Sequence, residues 1–136
     1  KEIVFIISHK KRMIKEYFDH FVDAFTTYDG DRVAAKFTVP YMVKGEAGES
    51  KIFHSMSEVS QHFQAYLDEY KAKGCTKCQY SKLDVKWLGS ESAIASVDWS
   101  LLDQGDDLVL TWSESYVLSV IGNQALTYAT VDHIGD

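Results

Sequence analysis

From Leu83 to Asp132 the apolar residues fall on every second position, and that alternation limits what the chain can become. Leu83-Asp-Val-Lys-Trp87 has period two, and Ala93, Ala95, Val97, Trp99 and Leu101 share one face of the next run. A turn at Gln104-Gly-Asp-Asp107 leads into residues 108–121, a strand long enough to bend. Gly122-Asn123 makes the following hairpin, and residues 126–132 form the last strand. Successive side chains of a strand point to opposite faces, so each strand has one face that must be covered by another layer. The pattern predicts an antiparallel meander of four strands that needs helices against it.

The first half supplies them. Met13, Ile14, Tyr17, Phe18, Phe21, Val22, Phe25 and Tyr28 recur at spacings of three and four, an apolar stripe on a helix over 11–28. Lys15, Glu16, Asp19 and Asp23 take the remaining faces. Asp29-Gly30-Asp31 ends that helix, and Asp31 is placed to cap a short second one reaching Phe37. Pro40 then opens an extended stretch, residues 41–44; Gly45 and Gly48 supply a turn, and residues 51–54 return as a short strand. Ser55 or Ser57 caps a third helix with Glu58 in its first turn. Its stripe is Val59, Phe63, Tyr66, Leu67 and Tyr70, and Gly74 stops it. Helices first and strands later indicate an α+β domain, with one curved sheet over N-terminal helices. No repeat or linker divides residues 1–136, so one domain is expected.

Lys and Arg total 14 against 20 Asp and Glu, a net charge of −6. Nothing basic enough for a phosphate backbone or an anionic membrane emerges from that balance, so neither nucleic acid nor membrane is expected as a partner. The apolar run at residues 3–7 is shorter than the roughly 7–15 residues of an export signal, and basic residues follow it. It reads as a short strand or a segment packed against a partner, in a cytoplasmic protein. Cys75 and Cys78 follow a helix pattern and precede a strand pattern, the wrong end of a helix for a low-pKa redox pair. Zinc would need two more ligands nearby. Both cysteines are therefore read as thiols in a helix-to-strand loop, and no metal or cofactor is expected. The histidines show no metalloenzyme spacing, and no strained Gly-x-Ser-x-Gly elbow is present.

This order resembles the nuclear transport factor 2-like superfamily, also called the SnoaL-like or cystatin-like cone fold. Phe21-Val-Asp-Ala-Phe-Thr-Thr-Tyr-Asp-Gly-Asp-Arg-Val-Ala-Ala-Lys-Phe37 resembles the opening of that family, and residues 122–132 resemble its closing hairpin and strand. The likeness runs from about Met13 to His133. It implies a bent sheet wrapped round the helices into a cone with a pocket at its open end, and a homodimer through the outer sheet face. Activities across such a fold vary, so the site must decide function. The ketosteroid isomerase branch carries a base, an Asp, just before the Pro of its first strand; Val39 stands there in this chain. The branch's oxyanion Tyr matches Phe21, and its second oxyanion group falls near Tyr116. Limonene-type epoxide hydrolases need Asp, Arg and Asp around a water, and the two arginines, Arg12 and Arg32, lie on no sheet strand.

What remains is an aromatic cavity with polar tips. The resemblance turns Trp112, Glu114, Tyr116, Leu118 and Val120 inward, and likewise Tyr128, Thr130 and Asp132. Phe21, Tyr41, Phe63, Trp99, Trp112, Tyr116, Tyr128 and Asp132 are the expected ligand-binding residues, with Asp132 and Tyr116 as the acid/base candidates. An acid at the end of the last strand, under aromatic walls, would be desolvated and its pKa raised. His133 points to the opposite face from Asp132, His54 belongs to the rim, Asp98 is solvated, and His20 and His62 read as surface residues. The expected function is a pocket for a small apolar or aromatic metabolite, with isomerase- or dehydratase-like proton chemistry. The alternative is a non-catalytic dimeric adaptor or scaffold using the outer face of the sheet.

Overall fold

A long helix, α1 (Glu2–Phe25), opens the computed structural model, which describes residues 2–135 and their side chains from His9 onward. The run at residues 3–7 is therefore helical and not a strand. Its β-branched residues each carry a small helix penalty, while lengthening an existing helix adds a hydrogen bond per residue. The stripe behaves as its spacing requires: Ile14, Tyr17, Phe18, Phe21 and Phe25 are buried, with Met13 and Val22 packed beside them. On the far side Lys15 pairs with Asp19 at 2.7 Å.

The helix stops at Phe25, and Tyr28 takes a left-handed backbone (φ 56) in the turn that follows. Asp29, two residues before the expected Asp31, caps α2 (Gly30–Ala34); its carboxylate accepts the Asp31 N–H at 2.9 Å. Phe37 already belongs to β1 (Phe37–Lys44), so Pro40 lies inside the strand. It falls where the register against the neighbouring strand shifts and before the pairing with β2 (Ser50–Phe53) begins at Tyr41, so its missing N–H disturbs no ladder bond. In α3 (Met56–Ala72), Ser55 is the cap: its Oγ accepts the Glu58 N–H at 3.2 Å and donates to Glu58 Oε1 at 3.0 Å. Gly74 leaves the helix with φ 83, a conformation that side chains with a Cβ resist.

The remainder is β3 (Lys77–Leu88), β4 (Ser92–Leu102), β5 (Leu108–Ile121) and β6 (Gln124–Asp132). The strand order is β2-β1-β6-β5-β4-β3, a six-stranded, curved and unclosed sheet. All neighbours are antiparallel except β1 and β6, which run parallel and join the first hairpin to the meander. Every second residue of β4 from Ala93 to Leu101 is buried beneath the helices. The core is built chiefly of aromatic rings, Phe18 meeting Tyr116 edge-on at 5.2 Å and Trp99 at 6.2 Å. Among the described residues no helix is long and apolar enough to cross a membrane.

Candidate functional site

Sheet register builds the site. Across β4 and β5, Val97 faces Glu114, Trp99 faces Trp112 and Ala95 faces Tyr116. Across β5 and β6, Glu114 faces Asp132 and Tyr116 faces Thr130. Directly opposed residues on one face have their Cβ atoms only about 4.5–5.5 Å apart, so the two carboxyl groups are neighbours by construction.

The indole N–H of Trp112 donates to Glu114 Oε1 at 2.9 Å, and that of Trp99 donates to the Tyr116 hydroxyl oxygen at 2.9 Å. Tyr116 O–H donates in turn to Glu114, and the Glu114 carboxyl hydrogen-bonds Asp132. Burial, with the Asp132 charge next in weight, pushes Glu114 up to about 8. Asp132 is also raised, by burial and by the charges of Glu46 and Glu49, while the hydrogen bond from Glu114 and the Glu46 backbone N–H pull it the other way. Two adjacent carboxyls in a low-dielectric wall cannot both ionise cheaply. The pair therefore holds one proton and one negative charge at neutral pH, with the proton on the Glu114 side. Burial drives the Tyr116 hydroxyl well above its ordinary value, so it stays protonated and acts as a donor.

These groups line a hollow of about 140 Å³ enclosed by Phe21 and Phe25 of α1, Tyr41 of β1, His62, Phe63, Tyr66 and Tyr70 of α3, Trp99 of β4, and Trp112 of β5. Glu46, Glu69 and Lys73 stand among the lining residues outside the buried core. The rings are layered: Tyr70 stacks on Trp112 at 5.9 Å and 24°, and Tyr41 on Phe63 at 6.1 Å and 21°. Tyr41 and Thr130 join hydroxyls at 2.6 Å, which ties β1 to β6 at the cavity wall.

Of the residues expected from sequence, Phe21, Tyr41, Phe63, Trp99, Trp112, Tyr116 and Asp132 all line the hollow. Tyr128 is not among them. The pairing of β5 with β6 shifts register between Val117 and Leu118, where Thr127 faces Leu118 and Ala129 faces Val117. That bulge accommodates Tyr128 as the extra residue, and it breaks the alternation expected from Tyr128 to Asp132. Thr127 takes the inward place instead, fully buried and bonded to the Tyr17 hydroxyl at 2.6 Å.

His62 is a second correction. It is half-buried and lines the hollow, its ring 4.8 Å from Phe53 and 5.2 Å from Tyr66. Burial, then the Lys51 charge, lowers it to about 4, so it is neutral at physiological pH. Its spacing from Val59 and Tyr66 places it on the apolar stripe, a signal that a polar residue name obscured. Glu114 was turned inward by the family resemblance without a role; the register that opposes it to Asp132 makes it a candidate. His54 and His20 are exposed, and His133 lies on the outer face, its Nε2 2.7 Å from Ser115 Oγ. Asp98 is partly exposed there and accepts from Ser113 at 2.6 Å.

Cys75 and Cys78 are buried free thiols that follow α3 in the chain, Cys78 already within β3. Burial pushes Cys78 up to about 12, far from a reactive thiolate. Among the described residues no group of three or more His, Cys, Asp or Glu side chains is arranged to hold a metal ion.

The sequence model of the family described as NTF2-like protein (DUF6841) matches residues 10–130. Among curated proteins none matches the chain. Solved structures of the same fold include an NTF2-like protein with a cystatin-like fold from Novosphingobium aromaticivorans, 8% identical, with a TM-score of 0.78 over 96% of this chain and 85% of that one. A protein of unknown function with a cystatin-like fold from Nostoc punctiforme is 18% identical, with a TM-score of 0.73 over 93% and 90%. An NTF-2 like protein from Shewanella oneidensis MR-1 is 15% identical, with a TM-score of 0.70 over 93% and 99%.

Proposed function

The chain belongs to the NTF2-like family DUF6841, and from that premise we propose that its cavity binds a small apolar or aromatic metabolite and exchanges a proton with it. The observation that carries this reading is the carboxyl pair, Glu114 opposite Asp132, set in an aromatic wall. A pair that shares one proton presents an acid and a base side by side near neutral pH, which is what moving a proton on a bound substrate requires. Val39 stands where the ketosteroid isomerase branch has its base, and in this chain the carboxyls sit on β5 and β6 instead. Tyr116 holds Glu114 in place as a donor, so it serves as a positioning residue beside the pair. The hollow matches the scale of the roughly 150 Å³ cavities that take a benzene ring, well below the roughly 300–1,000 Å³ of pockets for drug-sized ligands.

A thermal-shift screen of small aromatic and aliphatic metabolites tests the reading on wild type, Glu114→Gln, Asp132→Asn and Tyr116→Phe. Ligands that stabilise wild type should lose most of their shift in the two carboxyl variants. Identical shifts in all four proteins would remove this site. For any ligand retained, solvent deuterium appearing at a ligand carbon in wild type and not in Glu114→Gln would establish the proton exchange.

A further inference from the structure

We propose that the ligand of this cavity is a small organic cation, a protonated or quaternary amine on an apolar body, held between the aromatic wall and the Glu114–Asp132 pair. The inference rests on the cavity being the ligand site, and it names the ligand's charge. Four carboxyl groups line the hollow: Glu46, Glu69, Glu114 and Asp132. The side chains that could offset them are Lys73, whose Nζ is bonded to Glu69 at 2.9 Å, and His62, which burial keeps neutral. Neither Glu114 nor Asp132 forms an ion pair with Lys or Arg among the described residues. An anionic ligand would add a second uncompensated charge beside the first. A neutral apolar ligand would strip water from the pair's remaining charge and return nothing. A cation supplies the missing counter-charge.

The walls favour the same chemistry. Tyr66, Tyr70, Trp99 and Trp112 line the hollow with the carboxyls, and the negative faces of aromatic rings attract cations, more strongly where water is excluded. Trp112 is placed for both parts, stacked on Tyr70 and donating its N–H to Glu114.

Three probes of one shape and three charges test this: choline, its neutral isostere 3,3-dimethylbutan-1-ol, and the anion 3,3-dimethylbutanoate. Calorimetric titration into wild-type protein should show choline bound about tenfold or more tighter than the alcohol, with the anion weakest. The pair keeps one charge after either single substitution that leaves a carboxylate, so the informative variant is Glu114→Gln with Asp132→Asn. In that variant choline should bind no tighter than the alcohol binds to the same variant. Should that variant fail to fold, the wild-type series decides alone. The alcohol or the anion binding as tightly as choline overturns the cation and leaves the pocket standing. None of the three binding at millimolar concentration also overturns the cation, and the metabolite screen then judges the pocket separately.

Discussion

Glu114 and His62 line the same hollow, and burial moves their proton affinities in opposite directions, so the pH profile of stability carries the signature of both. Glu114 rises from 4.5 to about 8, so between those values the folded protein holds more protons than the unfolded chain. Stability therefore falls with rising pH across that window, by at most about 1.4 kcal/mol per pH unit for one proton. Asp132, raised as well, acts in the same sense at the acid end. His62 falls from 6.5 to about 4, so in that range the unfolded chain holds more protons and stability rises with pH. The two offset each other up to pH 6.5, and above it Glu114 acts alone. Thermal melts should show Tm falling between pH 6.5 and 8 in wild type. Glu114→Gln should flatten that fall, and His62→Gln should make it begin near pH 4.5. A wild-type Tm that climbs from pH 6.5 to 8 would place the proton elsewhere. Residue chemistry of this kind was only partly legible. Alternation grouped the residues of each face and the family resemblance turned Glu114 and Asp132 inward, but their opposition depends on the register of β5 against β6, and a sequence prints no register.

Elements meet closely where α2 crosses α3, and one glycine makes that crossing possible. A Cβ built on Gly30 would lie 2.6 Å from the Ser60 carbonyl oxygen and 3.0 Å from Gln64 Cβ. The contact is then locked by Gln64, whose Oε1 accepts the Gly30 N–H at 2.8 Å and whose Nε2 donates to the Tyr28 carbonyl at 3.0 Å. Gly30→Ala should lower stability by about 1–3 kcal/mol in denaturant titrations, although alanine is the better helix former. Because Tyr66 and Tyr70 ride on α3, the same change should weaken any ligand shift seen in wild type. An unchanged denaturation midpoint would mean that the helices separate freely and that α2 does not set the cavity. At this scale the sequence was most informative. The period of two fixed β4 and β5 almost to the residue, and the stripe over Val59 to Tyr70 identified α3. Exceptions have local causes: residues 3–7 joined a helix already growing behind them, and the bulge at Tyr128 is a property of two strands together. The parallel pairing of β1 with β6 joins segments about 90 residues apart, and nothing in either segment alone specifies it.

The whole molecule has two faces of unlike character. Inside the curve lie the aromatic core and the carboxyl pair; outside, β4, β5 and β6 present Ile94, Val117 and Val131 among Ser96, Ser100, Thr111, Ser113 and Ser115. Short side chains make that surface shallow, and its hydroxyls satisfy one another, Ser96 and Ser115 at 2.6 Å. The charged residue within it, Asp98, is held by Ser113 and by Lys82 at 3.7 Å. A second copy of the same surface is a fitting occupant, since a two-fold axis sets each apolar centre against its equal. We expect wild-type protein to be a dimer by light scattering at micromolar concentration. Val117→Arg should place a charge at the centre of each half and give a monomer, with the melting profile and ligand shifts of the cavity retained because Val117 points away from it. A wild-type monomer would leave the outer face as solvated sheet and would remove the adaptor reading. A Val117→Arg dimer would move the contact to another surface. A monomeric variant that also lost its ligand shifts would mean that the partner copy helps to shape the cavity, and the two faces would then act as one device.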